Sequence, residues 1–168
     1  LIDQGFETER HPFLARQSFV KKVVLRTGAF GLASVEAYPL WPATFPVGTI
    51  SQPLVAFPSP NLNAVSGKIA IATFPFNFTG QISQTIIDLI ESAAAAGAVA
   101  MVAISEGPSG HITVMNPIDD RAAWPIPVVL VGPQHTPQLL AALKSGAKTT
   151  LQLEGQNVPD APSVNVIG

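Results

Sequence analysis

Gly67–Ser105, GKIAIATFPFNFTGQISQTIIDLIESAAAAGAVAMVAIS, decides how the rest of the chain is read. Lys68–Phe74 is a short β-leaning run set between Ser66-Gly67 and Pro75. Ile82, Ile86, Ile90, Ala93, Ala94 and Gly97 then recur at helical spacing, so one face of that segment is apolar. Gly97 stands where the helix ends, since glycine takes the left-handed backbone of a helix stop without a Cβ penalty. Val99–Ile104 is apolar at every position and short enough for a buried strand. Two parallel strands joined through a helix require a right-handed crossover, which makes the stretch one compact unit. Small residues at Ala93–Ala96 let the helix lie close to the sheet. This unit is a core and carries no chemistry.

Outward from it the chain alternates between strands and punctuation. Glu106–Trp124, rich in Gly, Pro, Asn and Asp, reads as loop, and Pro125–Val131 as strand. Pro133 opens a second helix, Pro133–Ser145, with Leu139, Leu140 and Leu143 as its apolar face and Gly146 as its stop. The first helix is predicted over Gln81–Ala96. Ala147–Leu153 closes the sheet, Gln156–Pro162 reads as a linker, and Val164–Ile167 begins another strand. On the N-terminal side, Ala37–Gly67 holds no charged residue but six prolines from Pro39 to Pro60. Proline confines that segment to edge strands, turns and surface loops, with Ile50–Phe57 its best strand. Ser18–Arg26 and Leu32–Tyr38 form a hairpin about Thr27–Gly31. Leu1–Phe13 reads as a helix end, stopped at Gly5, running into an extended segment. The expected fold class is α/β (α+β): a strand-rich curved sheet or open β-barrel-like domain with two flanking helices.

Composition narrows the classes of function. A chain of 168 residues holds one domain with a real core. Charged residues are 12%, about half the usual share, and the net charge of −2 gives no electrostatic reason to expect nucleic acid or an anionic membrane. No cysteine is present, which excludes disulfides and thiolate metal sites. No apolar run approaches the roughly 18 residues of a membrane span. Low charge with abundant Pro, Ser, Thr, Gln and Asn points to an exported protein, secreted or periplasmic. The chain starts at Leu1 without an initiator Met and is read as a piece of something longer.

Few residues offer chemistry. His11, His111 and His135 have no partner at metal-ligand spacing, so they read as surface or loop histidines. Among them His111 is singled out, because Gly107-Pro108-Ser109-Gly110 holds it beside the end of a core strand. Ser105, Ser109, His111, Asp119 and Asp120 supply the residue types of a hydrolase relay, without a Gly-x-Ser-x-Gly elbow. Asp119-Asp120-Arg121 equally reads as a solvated turn with a local ion pair. Gly28–Gly31 and Ser66-Gly67-Lys68 lack the context of phosphate loops and read as turns. Phe74, Phe76 and Phe78 alternate; they either roof the core or present an apolar patch to a partner. Asn77-Phe78-Thr79 is an N-glycosylation sequon. Tyr38, Trp41 and Trp124 are the only Tyr and Trp available to a carbohydrate- or ligand-binding face.

The GKI strand, the Ala-rich helix ending in AGA and the VAMVAI strand resemble the protease-associated (PA) domain. The resemblance extends through Ile126–Val131, Leu140–Leu143 and Ala147–Leu151, covering about Thr49–Glu154. One departure stands out: many members carry Arg-Gly-x-Cys after the GKI strand, where this chain has Thr73–Phe78. Leu1–Phe13 and Val164–Gly168 resemble the segments that flank such an insertion in two-zinc aminopeptidases. The resemblance implies residues 1–13 as host tail, 14–155 as the PA domain, and 156–168 as linker and first host strand. It implies a non-catalytic module that binds substrate or shapes access in a zinc aminopeptidase. The expected partners are the host peptidase domain and a peptide or protein substrate, with no nucleic acid and no membrane span. Zinc is expected in the parent and no cofactor in this piece, because the family's metal ligands follow Gly168. No catalytic or metal residue is assigned here; Phe76, Phe78, His111 and Trp124 are the candidate interaction surface. The alternatives are a small hydrolase using the Ser105–Asp120 loop and a ligand-binding module. Inserted between host elements, the module should bring Phe6–Phe13 and Gln156–Ser163 together.

Overall fold

The computed structural model describes residues 7–28 and 33–167. The strands are β1 (Glu9–Thr27), β2 (Ala33–Val35), β3 (Tyr38–Pro39), β4 (Ile50–Ala56), β5 (Ile69–Phe74), β6 (Ala100–Ser105), β7 (Val128–Val131) and β8 (Lys148–Ile167). Helices α1 (Gln84–Ala95) and α2 (Thr136–Ser145) complete the frame. Among the described residues they form one mixed eight-stranded sheet, ordered β2-β1-β8-β4-β5-β6-β7-β3 and not closed. The fold is α/β, with a strand-rich curved sheet and two helices. The expected helix end at Leu1–Gly5 and the turn residues Ala29–Gly31 lie outside the described residues.

The quoted unit folds as read. β5 and β6 pair in parallel from Ile69↔Ala100 to Phe74↔Ser105, and β7 continues the parallel set. Gly97 (φ +84°) ends α1: its N–H donates to the Ala94 carbonyl while Ala98 N–H donates to that of Ala93. That pair of bonds satisfies the last helical carbonyls. These strands are apolar on both faces because both faces are covered. Ala70, Phe74, Met101 and Leu130 pack with Ile82, Ile86 and Ile90 on the α1 side. Ile69, Ile71, Val102 and Val129 pack with Leu139, Ala142 and Leu151 on the α2 side.

Two expectations need correcting. Leu140 is 41% exposed, and Ala142 is buried in its place. Leu140 lies about 100° round the helix from Leu139, whereas residues three and four on return to the same face. The segment Gln156–Pro162, read as a linker, is the middle of β8. That strand pairs with β1 from Thr149↔Thr27 out to Ile167↔Glu9, so neither residue 13 nor residue 155 ends an element.

β4 joins the two halves of the sheet. It pairs with β8 over Ile50–Pro53 and with β5 over Leu54–Ala56. Pro53, which has no N–H to donate, stands where the strand changes partners.

Candidate interaction surface

The loops that follow β5, β6 and β7 share one end of the parallel strands, the end where open α/β sheets commonly build sites. After β5, Pro75 breaks the strand and Asn77 folds a tight turn. Asn77 Oδ1 accepts from the Thr79 amide at 3.0 Å and from Thr79 Oγ1 at 2.9 Å, while its Nδ2 donates to the Gln81 carbonyl at 3.0 Å. The turn lifts Phe78 into solvent, 94% exposed, with the half-buried Phe76 ring edge-on to it at 4.7 Å. Phe74 is fully buried, so the three phenylalanines do not share a face. Alternation ends where the strand ends.

The loop after β6 is stitched to this turn. Ile82 N–H donates to the Asn116 carbonyl at 2.8 Å and Asn116 N–H to that of Gly80 at 2.9 Å. Ser105 is fully buried; its hydroxyl donates to the Val131 carbonyl and accepts from Thr113 N–H at 3.0 Å. A side chain at Gly107 would meet Thr113 and the Phe76 ring, which places the loop's start beside Phe76. His111 is exposed on the same loop, its N–H donating to Ser109 Oγ at 3.3 Å. Gln134, after β7, donates its N–H to the Gly110 carbonyl at 3.4 Å. Phe76, Phe78 and His111 therefore stand on connected loops at one end of the sheet.

Trp124 does not join them. It is 2% exposed, with its Nε1–H donating to the Trp41 carbonyl at 3.2 Å, and packs in the α1-side core. It therefore leaves the candidate surface and offers no ring to a carbohydrate. Arg121 stacks on it at 3.9 Å from the ring centroid and pairs with Asp119 and, at 3.6 Å, with Glu91 of α1. The hydrogen bond from Arg121 holds the Asp119 carboxyl below its usual range, and the same bond raises the Arg121 guanidinium.

The relay residues are not assembled. Asp119 is taken by Arg121, and Asp120 Oδ1 accepts from Arg16 of β1 at 2.9 Å. Among the described residues no hydrogen bond links the His111 ring to a serine or a carboxylate. His11 pairs with Glu9 at 3.3 Å, and His135 sits in the turn that opens α2. Among the described residues no three His, Cys, Asp or Glu gather as metal ligands. Arg16 carries no local signal of this role, because its partner Asp120 is 104 positions away. A cleft of about 590 Å³ lies at the opposite end of the parallel strands. It is lined by small or uncharged residues such as Ser66, Ser92, Ala96 and Gly97.

Comparison places this architecture. No family model matches the chain, and no curated protein matches its sequence. Solved structures do match. A peptidase M28 precursor from Shewanella amazonensis aligns over 98% of this chain and 41% of its own, with TM-score 0.70 and 16% identity. BSAP, a zinc aminopeptidase from Bacillus subtilis, aligns over 98% and 37%, with TM-score 0.63 and 16% identity. The fold is one that occurs inside larger peptidases. A subtilisin-like protease, Apa1 from Pseudoalteromonas, aligns over 84% of this chain and 34% of its own, with TM-score 0.56 and 17% identity. The chain thus spans about two fifths of the length of the aminopeptidases it resembles.

Proposed function

We propose that this chain is a protease-associated domain: a non-catalytic module of an exported zinc aminopeptidase that helps hold substrate or shape access to the active site. The observation that carries the reading is that one fold recurs in a zinc aminopeptidase and in a subtilisin-like protease. Zinc-assisted hydrolysis and a Ser-His-Asp relay share no catalytic group. What two such enzymes have in common is not where either does its chemistry. The local geometry agrees, since Ser105, Asp119 and Asp120 are engaged in other hydrogen bonds and none of them meets the exposed His111 ring. The residues here do not fit a two-zinc site, since among the described residues the His and carboxylate side chains do not converge. Zinc in this reading is held by the remainder of the peptidase. The connected loops bearing Phe76, Phe78 and His111 form the surface that meets substrate or a partner protein.

The test is removal of residues 9–167 from the longer polypeptide, rejoining the flanking chain through a short flexible linker. The folded variant should still hydrolyse a small aminoacyl-nitroanilide while its relative rate on longer peptides changes. Turnover or stoichiometric zinc binding by the 168-residue chain alone would contradict the reading.

A further inference from the structure

Among the described residues, the outer part of the β1–β8 ribbon lies beyond the last side-chain hydrogen bond that ties it to the rest of the domain. Arg16 Nη1 donates to Asp120 Oδ1 at 2.9 Å and to the Arg121 carbonyl at 3.0 Å. Outward of this anchor, Pro12 pairs with Val164 and Leu14 with Pro162. Among the described residues, the side-chain hydrogen bonds of 9–15 and 162–167 stay within the ribbon. Two strands without a third or a packed layer are marginal in water.

The two faces of this outer segment differ. Strand alternation places Pro12 and Leu14 on the face of Arg16 and Ser18, opposite Pro162, Val164 and Val166. Arg16 and Ser18 both reach the body, Ser18 Oγ accepting from Ala43 N–H at 3.2 Å, so this is the body-side face. Leu14 is 66% exposed and Val164 50%, and no charged side chain falls within 12–14 or 162–164; Arg10, cross-strand from Val166, and Arg16 bound this patch at its two ends. A cleft of about 320 Å³, lined by Arg16, Asn157, Pro159, Ala122 and Ala123, adjoins the ribbon at this anchor. The opposite face holds the buried Ala161 and mixes Phe13 and Ile167 with Ser163, Asn165 and the Glu9–His11 pair. Pro12 and Pro162 lack an N–H, so their pairs are of the non-hydrogen-bonded kind, in which facing side chains lie closest.

We propose that Pro12, Leu14, Pro162 and Val164 dock against a second folded domain of the same polypeptide, one that presents an uncharged apolar face to them. The proposal rests on the module reading above. Its occupant follows from two observations. The two strands reach the ribbon's outer end together, with Glu9 opposite Ile167. The similar aminopeptidases contain nearly this whole fold, yet it makes up only 41% and 37% of their length, so in them further protein adjoins it.

Amide hydrogen exchange on the 168-residue chain and on the longer polypeptide tests this, each with and without the pair Leu14→Lys and Val164→Lys. Exchange over residues 9–15 and 161–167 should be about tenfold or more slower in the longer polypeptide. The paired substitution should restore the fast rate there and leave the melting temperature of the 168-residue chain unchanged. Equal ribbon rates in the two wild-type forms overturn the proposal. So does protection that survives the paired substitution, or protection in the short chain that rises with its concentration, which would assign the stripe to a second copy. Peptidase activity of the longer polypeptide is scored separately: its absence overturns the module reading and leaves the ribbon result to stand or fall on exchange.

Discussion

The parallel strands and the long antiparallel ribbon belong to one sheet but solve opposite problems. β5, β6 and β7 are covered on both faces, so nearly every residue in them is buried and apolar. The ribbon formed by β1 and β8 is exposed over most of its length and held to the body at a few points. Its stability comes from pairing and anchoring, while that of the parallel set comes from burial. Substitutions in the parallel set should therefore hurt the fold, and those in the outer ribbon should leave it intact.

The largest effect is expected in the parallel core. Phe74→Ala removes a fully buried ring beneath α1 and should cost about 3–5 kcal/mol in denaturant unfolding. A cost under about 1 kcal/mol would mean that the site collapses around the cavity and that burial is not what holds this half.

An intermediate effect is expected where the ribbon crosses the body. A Cβ at Gly155 would overlap the Phe19 carbonyl oxygen and the Phe45 ring. Gly155→Ala should therefore destabilise by about 1–3 kcal/mol, as overpacking does. Phe45→Ala in the same chain should recover part of that loss by opening space for the methyl group. Recovery of nothing would place the strain in the backbone contact alone.

The smallest effects belong to the exposed ion pairs. Asp120→Ala, which removes the carboxylate but leaves Arg16 its bond to the Arg121 carbonyl, should cost no more than about 1 kcal/mol, since Asp120 is almost fully exposed. Asp119 gives a pH signature. Its pKa is lowered in the folded state, so its contribution is present above the ordinary carboxylate pKa of about 4. It is lost as pH falls through the folded value. Asp119→Asn should reduce stability slightly at pH 7 and converge on wild type in acid, with the effect screened because Asp119 is 44% exposed. A difference that widened on acidification would reverse the assigned sign.

The same contrast explains what could be read in advance. Continuous apolar runs such as Ala100–Ile104, and glycines at Gly97 and Gly146, are local signals, so strands, helices and stops were legible. The ribbon was not. Pro159, Pro162 and the polar residues around them imitate a linker, because exposure on both faces erases the alternation that marks a half-buried strand. What makes Gln156–Pro162 a strand is β1, more than a hundred residues away in sequence, and pairing at that range leaves no local trace. An irregular register between Ala15 and Gln17, opposite Ala161 and Val158, absorbs Pro159 without ending the strand. The candidate surface was half legible for a related reason. Phe78 and His111 sit in loops whose polar and glycine content marked them as exposed, whereas the burial of Trp124 depends on Trp41, Thr44 and Arg121 closing round it.

Native-state hydrogen exchange against rising denaturant compares the two regions within one molecule. The amides of Ala70, Val102 and Leu130 should exchange only through global unfolding, with the full denaturant dependence of the equilibrium transition. Those of Phe13 and Ser163, in the outer ribbon, should exchange far faster and nearly independently of denaturant. A single free energy and slope shared by both sets would contradict the account of a self-sufficient core bearing an uncovered ribbon.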